Sequence, residues 1–151
     1  MTIIGSGLIT PSDLQVVVGN YNFADDGGAQ GAFTIFTVTG DVLLQVFGIC
    51  DVQPAVAAGT PTLELGVSGD TTAYIAQIVN ATDLIANEVW LDATPTLTQE
   101  ILDPAVIPRT WIVANGQDTI LTIGGADLTA GDIDFYALWR PLSTDGLVVA
   151  A

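Results

Sequence analysis

Residues 132–142 read DIDFYALWRPL, and the alternation in them is strict. Ile133, Phe135, Ala137 and Trp139 fall on one side, while Asp132, Asp134, Tyr136, Leu138 and Arg140 fall on the other. A period of two with one wholly apolar side is the pattern of a half-buried β-strand. Arg140 then sits on the outward face at the far end, and Pro141, which has no N–H to donate, ends the ladder. The same reading extends to AFTIFTVT (32–39), rich in β-branched and aromatic residues and followed by a Gly40-Asp41 turn. VLLQVFGIC (42–50) is apolar on both faces except at Gln45, which suits a central strand.

TLELGVS (62–68) alternates until Gly66, where a bend or bulge is expected. AYIAQIVN (73–80), EVWL (88–91), RTWIVAN (109–115) and DTILTIG (118–124) complete the set, and GGADLTAG (124–131) joins the last long pair. Asn115-Gly116 between two of these runs predicts a hairpin. One stretch, 72–87, also fits helical spacing through Ile75, Ile78, Val79 and Ile85, but its β-branched residues favour a strand. Seven to nine short strands at roughly ten-residue spacing predict an all-β fold, a jelly-roll-like β-sandwich or barrel. Residues 1–31, rich in Gly, Asn and Asp around the short piece LQVVV, read as an N-terminal extended arm. Such an arm either tucks back as an edge strand or extends onto a neighbour, and 32–151 is the β-sandwich domain.

Composition sharpens this picture mainly by subtraction. The chain has 151 residues, half of them hydrophobic, enough for one domain with its own core. Acidic residues outnumber basic ones 17 to 2, for a formal net charge of −15. Nucleic acid and anionic membrane surfaces are therefore excluded as partners, since both are held by Lys and Arg. No run approaches the ~18 apolar residues of a membrane span, and MTIIGSGLIT lacks the basic start of a secretory signal. The expectation is a soluble protein made in a cytoplasm. Cys50, the single cysteine, lies in an apolar run and reads as a buried, inert thiol.

With no histidine there is no Ser-His-Asp triad and no His-ligated zinc. With both cations arginine, there is no Schiff-base or P-loop lysine. GSGLIT lacks the third glycine of a dinucleotide fingerprint. Carboxylates remain, and a hydrolase would need two of them roughly 5–10 Å apart. The three glutamates, Glu64, Glu88 and Glu100, read instead as solvated surface groups. Asp25-Asp26 before Gly27-Gly28, and Asp127, Asp132 and Asp134, depart from the spacing of a calcium loop and read as turn chemistry. No catalytic residue, cofactor or metal site is assigned. Trp111 and Trp139 read as core, with a sugar-stacking platform as the alternative. Arg140 beside Trp139, together with Arg109, is the candidate subunit interface, because a planar guanidinium next to an indole suits one.

TVTGDVLLQVFGIC (37–50), IANEVWLDATPT (85–96) and WIVANGQDTILTIGGADLTAGDIDFYALWRPLS (111–143) resemble a group of small tailed-bacteriophage proteins encoded near capsid genes. The resemblance covers residues 37–143 and carries no catalytic residues. It implies a virion structural protein, a capsid decoration (cement) protein on the head surface, with the major capsid protein and its own copies as partners. A closed ring, a trimer, is the expected assembly. A head fibre, tail or host-glycan-binding module is the alternative.

Overall fold

The computed structural model describes residues 14–97 and 109–151. Ten strands form almost all of it: β1 (Gln15–Asn22), β2 (Gly31–Thr39), β3 (Val42–Val56), β4 (Thr62–Val67), β5 (Asp70–Ile78), β6 (Val89–Trp90), β7 (Trp111–Val113), β8 (Thr119–Gly124), β9 (Leu128–Pro141) and β10 (Leu147–Ala150). A four-residue helical turn, α1 (Phe23–Asp26), follows β1, and a 3-10 turn occupies Ala81–Asp83. One sheet runs β1-β9-β3-β6, with β7 also on β3; the other runs β10-β2-β8-β4-β5. Every pairing is antiparallel.

With β7 and β10 set aside, the remaining eight strands in chain order pair first with eighth, second with seventh, third with sixth and fourth with fifth. That is a folded-over hairpin wrapped into two sheets, the jelly roll. The all-β sandwich expected from the alternation is the fold observed. The core between the sheets takes one side of each strand: Leu44, Val46, Phe135 and Trp139 from the first sheet, and Phe36, Leu63, Leu65, Leu121 and Ile123 from the second. Trp90 and Phe135 meet edge to face at 6.0 Å in its middle.

Two local expectations change. Asn115-Gly116 does reverse the chain, but β7 joins the first sheet and β8 the second, so no hairpin forms. The turn is held from outside: Gly40 N–H donates to Asn115 Oδ1 at 2.9 Å, Asn115 N–H to Asp41 Oδ1 at 3.2 Å, and Gly116 N–H to Val38 O at 3.1 Å. Asn115-Gly116 and Gly40-Asp41 are thus one corner where the chain crosses between sheets. The helical alternative fails over 72–78, which is strand β5, and only a 3-10 turn capped by Asn80 follows. The expected irregularity at Gly66 is present as register shifts between β4 and β5. A Cβ there would sit 2.2 Å from Asp70 O.

Of the segment 1–31 read as an arm, residues 15–22 are the edge strand β1, paired with β9 along its whole length. Tyr21 from this strand is fully buried and donates to Gly27 O at 2.8 Å. Gly19 lets β1 approach the second sheet, since a Cβ would lie 2.8 Å from Ile35. Residues 1–13 lie outside the described residues.

Candidate interaction surface

The two outer faces of the sandwich differ in chemistry. On the second sheet Leu63, Leu65, Leu121 and Ile123 point inward, which turns Thr62, Glu64, Ile120 and Thr122 outward. Glu64 is buried by its neighbours and accepts from Gln77 Nε2 at 2.9 Å. That face is the hydroxyl- and amide-rich exterior of an ordinary half-buried sheet.

The first sheet is apolar on both sides. Register places Val18, Tyr136 and Phe47 in one row across β1, β9 and β3, and Val16, Leu138 and Gln45 in the next. Beyond them, Arg140 lies opposite Leu43, which lies opposite Ile112 of β7. Tyr136 and Phe47 stack at 5.3 Å with their planes 10° apart. Val16 is 61% exposed and Ile112 79% exposed. An extended apolar sheet face of this kind marks a contact surface. A sheet hydrophobic on both sides expects a layer on each.

Arg140 stands at one end of this face. It lines a shallow depression of about 220 Å³ with Leu14, Leu43, Gln45, Thr110 and Leu138. Its Nε is buried and has no hydrogen-bond partner among the described residues. Trp139, its neighbour in sequence, points the other way and is 4% exposed, packed in the core. The structure therefore does not bring the Arg140 guanidinium and the Trp139 indole together at the surface, because adjacent strand residues face opposite sides. Arg109 is exposed, next to Thr110 at the rim of the depression.

The opposite end of the face is acidic. One carboxylate oxygen from each of Asp51, Asp132 and Asp134 lies within 4.8 Å of the others. Asn20 Nδ2 bridges Asp132 Oδ1 at 2.7 Å and Asp134 Oδ1 at 2.8 Å, and Asn22 Nδ2 donates to Asp132 Oδ2 at 2.7 Å. Desolvation, then the charges of Asp134 and Asp132, push the Asp51 carboxyl above its usual range. Asp127 is not part of this group; it accepts from Gln30 N–H at 3.0 Å. Asp26 accepts from Asn22 N–H at 2.9 Å, which is turn chemistry as expected.

Glu88 departs most from expectation. It is fully buried, not solvated. Its Oε2 accepts from Ile85 N–H at 3.0 Å, and its Oε1 from Thr96 N–H, Thr96 Oγ1 at 3.0 Å and Leu97 N–H at 3.1 Å. Such a carboxylate fastens loops. Glu64 lies on the other sheet, so these two form no acid–base pair, and Glu100 is outside the described residues. Cys50 is buried as expected, with burial first and then Asp51, Glu88 and Asp132 pushing its thiol up to about 12. Trp111 is only partly buried and meets Tyr74 edge to face at 5.7 Å.

The apolar outer face is the feature that sequence reasoning missed. Its signal was present in VLLQVFGIC, where Leu43, Phe47 and Ile49 alternate with core residues.

No protein-family model matches this chain, and no curated protein does. Two solved structures are similar to it. One is a chain of the acidic stable capsid structure of Helicobacter pylori bacteriophage KHP30, with a TM-score of 0.52 and 12% identity over 90% of this chain and 92% of that one. The other is from the Cyanophage Pam1 capsid asymmetric unit, with a TM-score of 0.42 and 15% identity over 93% of this chain and 99% of that one. At such identities what is shared with the KHP30 chain is the jelly-roll sandwich itself.

Proposed function

We propose that this protein is a phage capsid decoration (cement) protein, which binds the outer surface of the assembled head and stabilises it without catalysis. The observation that carries the reading is the fold shared with the KHP30 capsid chain over nine-tenths of both chains. The two chains are thus of similar length, and the match is to the whole sandwich. Composition supports it: no histidine, no lysine and a net charge of −15 leave little for chemistry and repel nucleic acid. The same negative charge keeps a densely displayed protein soluble. The major capsid protein and other copies of this chain are its partners. The trimer expected from shell symmetry rests on that symmetry alone.

The test is to mix the purified protein with undecorated heads and count copies by cryo-microscopy, alongside a thermal challenge of the heads. Decoration predicts regular occupancy of the outer shell and a higher rupture temperature. A variant lacking residues 1–13, which spares β1, should lower occupancy while the sandwich stays folded. Heads that remain bare, with the protein on the tail or in the supernatant, overturn the reading in favour of another virion part.

A further inference from the structure

We propose that the outer face of the first sheet is the contact between two copies of this chain, packed face to face about a two-fold axis. The inference stands on this face alone, independently of head binding. Its occupant follows from how charge is laid out along β9. Arg140 lies four residues beyond Tyr136, and Asp132 lies four residues before it, all on the outward side. At ~3.4 Å per residue, each is about 14 Å from Tyr136. A two-fold axis between the sheets, perpendicular to the strands and passing over Tyr136, sets each Arg140 against Asp132 of the second copy. Asp51 and Asp134 stand beside that carboxylate. The Arg140 guanidinium thereby gains a carboxylate partner, and the acidic end gains a cation.

The same axis superimposes row on row. Val18, Tyr136 and Phe47 meet their own counterparts, so the stacked aromatic pair of each copy lies at the centre of the contact. Aromatic side chains at the centre with charges at the rim is the usual anatomy of a specific interface. The area also suffices. Three strands ~4.8 Å apart and about 27 Å long, with the short β6 and β7 beside β3, give a footprint of about 450 Å² per copy, or about 900 Å² in all. That is at the low end for association and fits a weak, reversible dimer. A parallel ring of three with strands along its axis would instead bring all the arginines to one end and all the carboxylate clusters to the other.

Sedimentation velocity on the full chain, over a range of concentrations, reads the assembly. The parent should reach a dimer. Arg140→Asp and Asp132→Arg should each weaken it at least ~100-fold, because every dimer contains the contact twice and each change sets like charges together. Mixing the two variants should restore the dimer, since both contacts then become opposite pairs. Thr122→Arg, on the outer face of the second sheet, should leave it unchanged. Thermal melts establish that each variant is folded. If a single variant does not fold, the exchange Arg140→Asp with Asp132→Arg in one chain should dimerise like the parent. As a second measurement, Tyr136→Cys should be joined to its counterpart by a short bismaleimide, and Thr122→Cys should not. A parent that stays monomeric, a trimer indifferent to Arg140→Asp, or a mixture no more associated than its components would overturn the proposal. A monomer that still decorates heads would assign this face to the shell and leave the decoration reading intact.

Discussion

Glu88 offers the sharpest test of how the sandwich is held at its weakest edge. Strand β6 pairs with β3 through only Gly48–Trp90 and Ile49–Val89. The backbone beside it is anchored by Cys50 N–H donating to Glu88 O at 3.0 Å and Asn87 N–H to Cys50 O at 2.6 Å. The Glu88 carboxylate then ties the turn at Ile85 to the loop at Thr96–Leu97. Replacing Glu88 by Ala removes an acceptor from three backbone N–H groups at once. Each hydrogen bond to a charged group is worth about 1.5–3 kcal/mol. Thr96 and Leu97 are exposed and reach water after relaxation, and the cost of burying a charge is recovered.

The net loss for Glu88→Ala is therefore about 3 kcal/mol, a large part of the 5–15 kcal/mol that holds a domain of this kind. A melting temperature lower by about 6–12 °C follows for a chain of this size. Glu88→Gln should cost less, about 1–2 kcal/mol, because the amide oxygen keeps the Thr96 and Leu97 donors while its NH2 faces the Ile85 N–H. Urea unfolding followed by tryptophan fluorescence is the assay, with Trp90 buried two residues away. The slope against urea should stay unchanged, which assigns the effect to stability. If Glu88→Ala lies within about 0.5 kcal/mol of the parent, the fastening role is wrong.

Cys50, with its thiol pushed up to about 12, should react with a thiol-specific reagent only as fast as the protein opens. Stoichiometric labelling of the native chain within minutes would contradict this. Burial raises the phenols of Tyr21, with help from Asp26, and of Tyr74 to about 12 from an ordinary 10.0. The folded state then holds protons that the unfolded chain releases, so stability is complete below pH 10 and falls as pH rises toward 12. Flat stability across that window, measured by urea titration, would refute it. In the cluster with Asp51, the Asp132 and Asp134 carboxylates are met by amide donors from Asn20 and Asn22, so melts with and without a chelator should coincide. A drop of several degrees in chelator would make the cluster a cation site.

The strands were legible where chemistry alternates strictly. In β9 every second residue is apolar, and burial follows that side without exception from Ile133 to Trp139. Partnership was not legible, because a turn signal reports a reversal and says nothing of which sheet receives the next strand. Asn115-Gly116 reverses the chain as any such pair does, yet core burial sends β7 to β3 and β8 between β2 and β4. Glu88 was read as solvated because its acceptors serve backbone N–H groups, which leave no trace in a side-chain pattern. The arginine and the tryptophan at 139–140 were each placed on the correct side by the alternation, and for that same reason they do not act together. Leu43 and Phe47 looked like the second buried side of a central strand. That side is apolar, and its residues are only half-buried.

The salt response of self-association separates what the charges do on this face from what the apolar residues do. Two copies of a chain carrying −15 repel one another, and this repulsion is long-ranged. At ~0.15 M ionic strength the screening length is about 8 Å, so distant charges are silenced first. The Arg140–Asp132 contacts are close and partly shielded, with the Arg140 Nε already buried before any partner arrives. Adding salt from low ionic strength should therefore remove more repulsion than attraction, and the dimer should tighten or hold steady. The apolar rows around Tyr136 and Phe47 supply affinity, while the two charge contacts fix the antiparallel register and exclude the parallel one. A dimer that dissociates steadily as salt rises would mean that the ion pairs supply the affinity, and the division of labour between the apolar rows and the charged ends would be reversed.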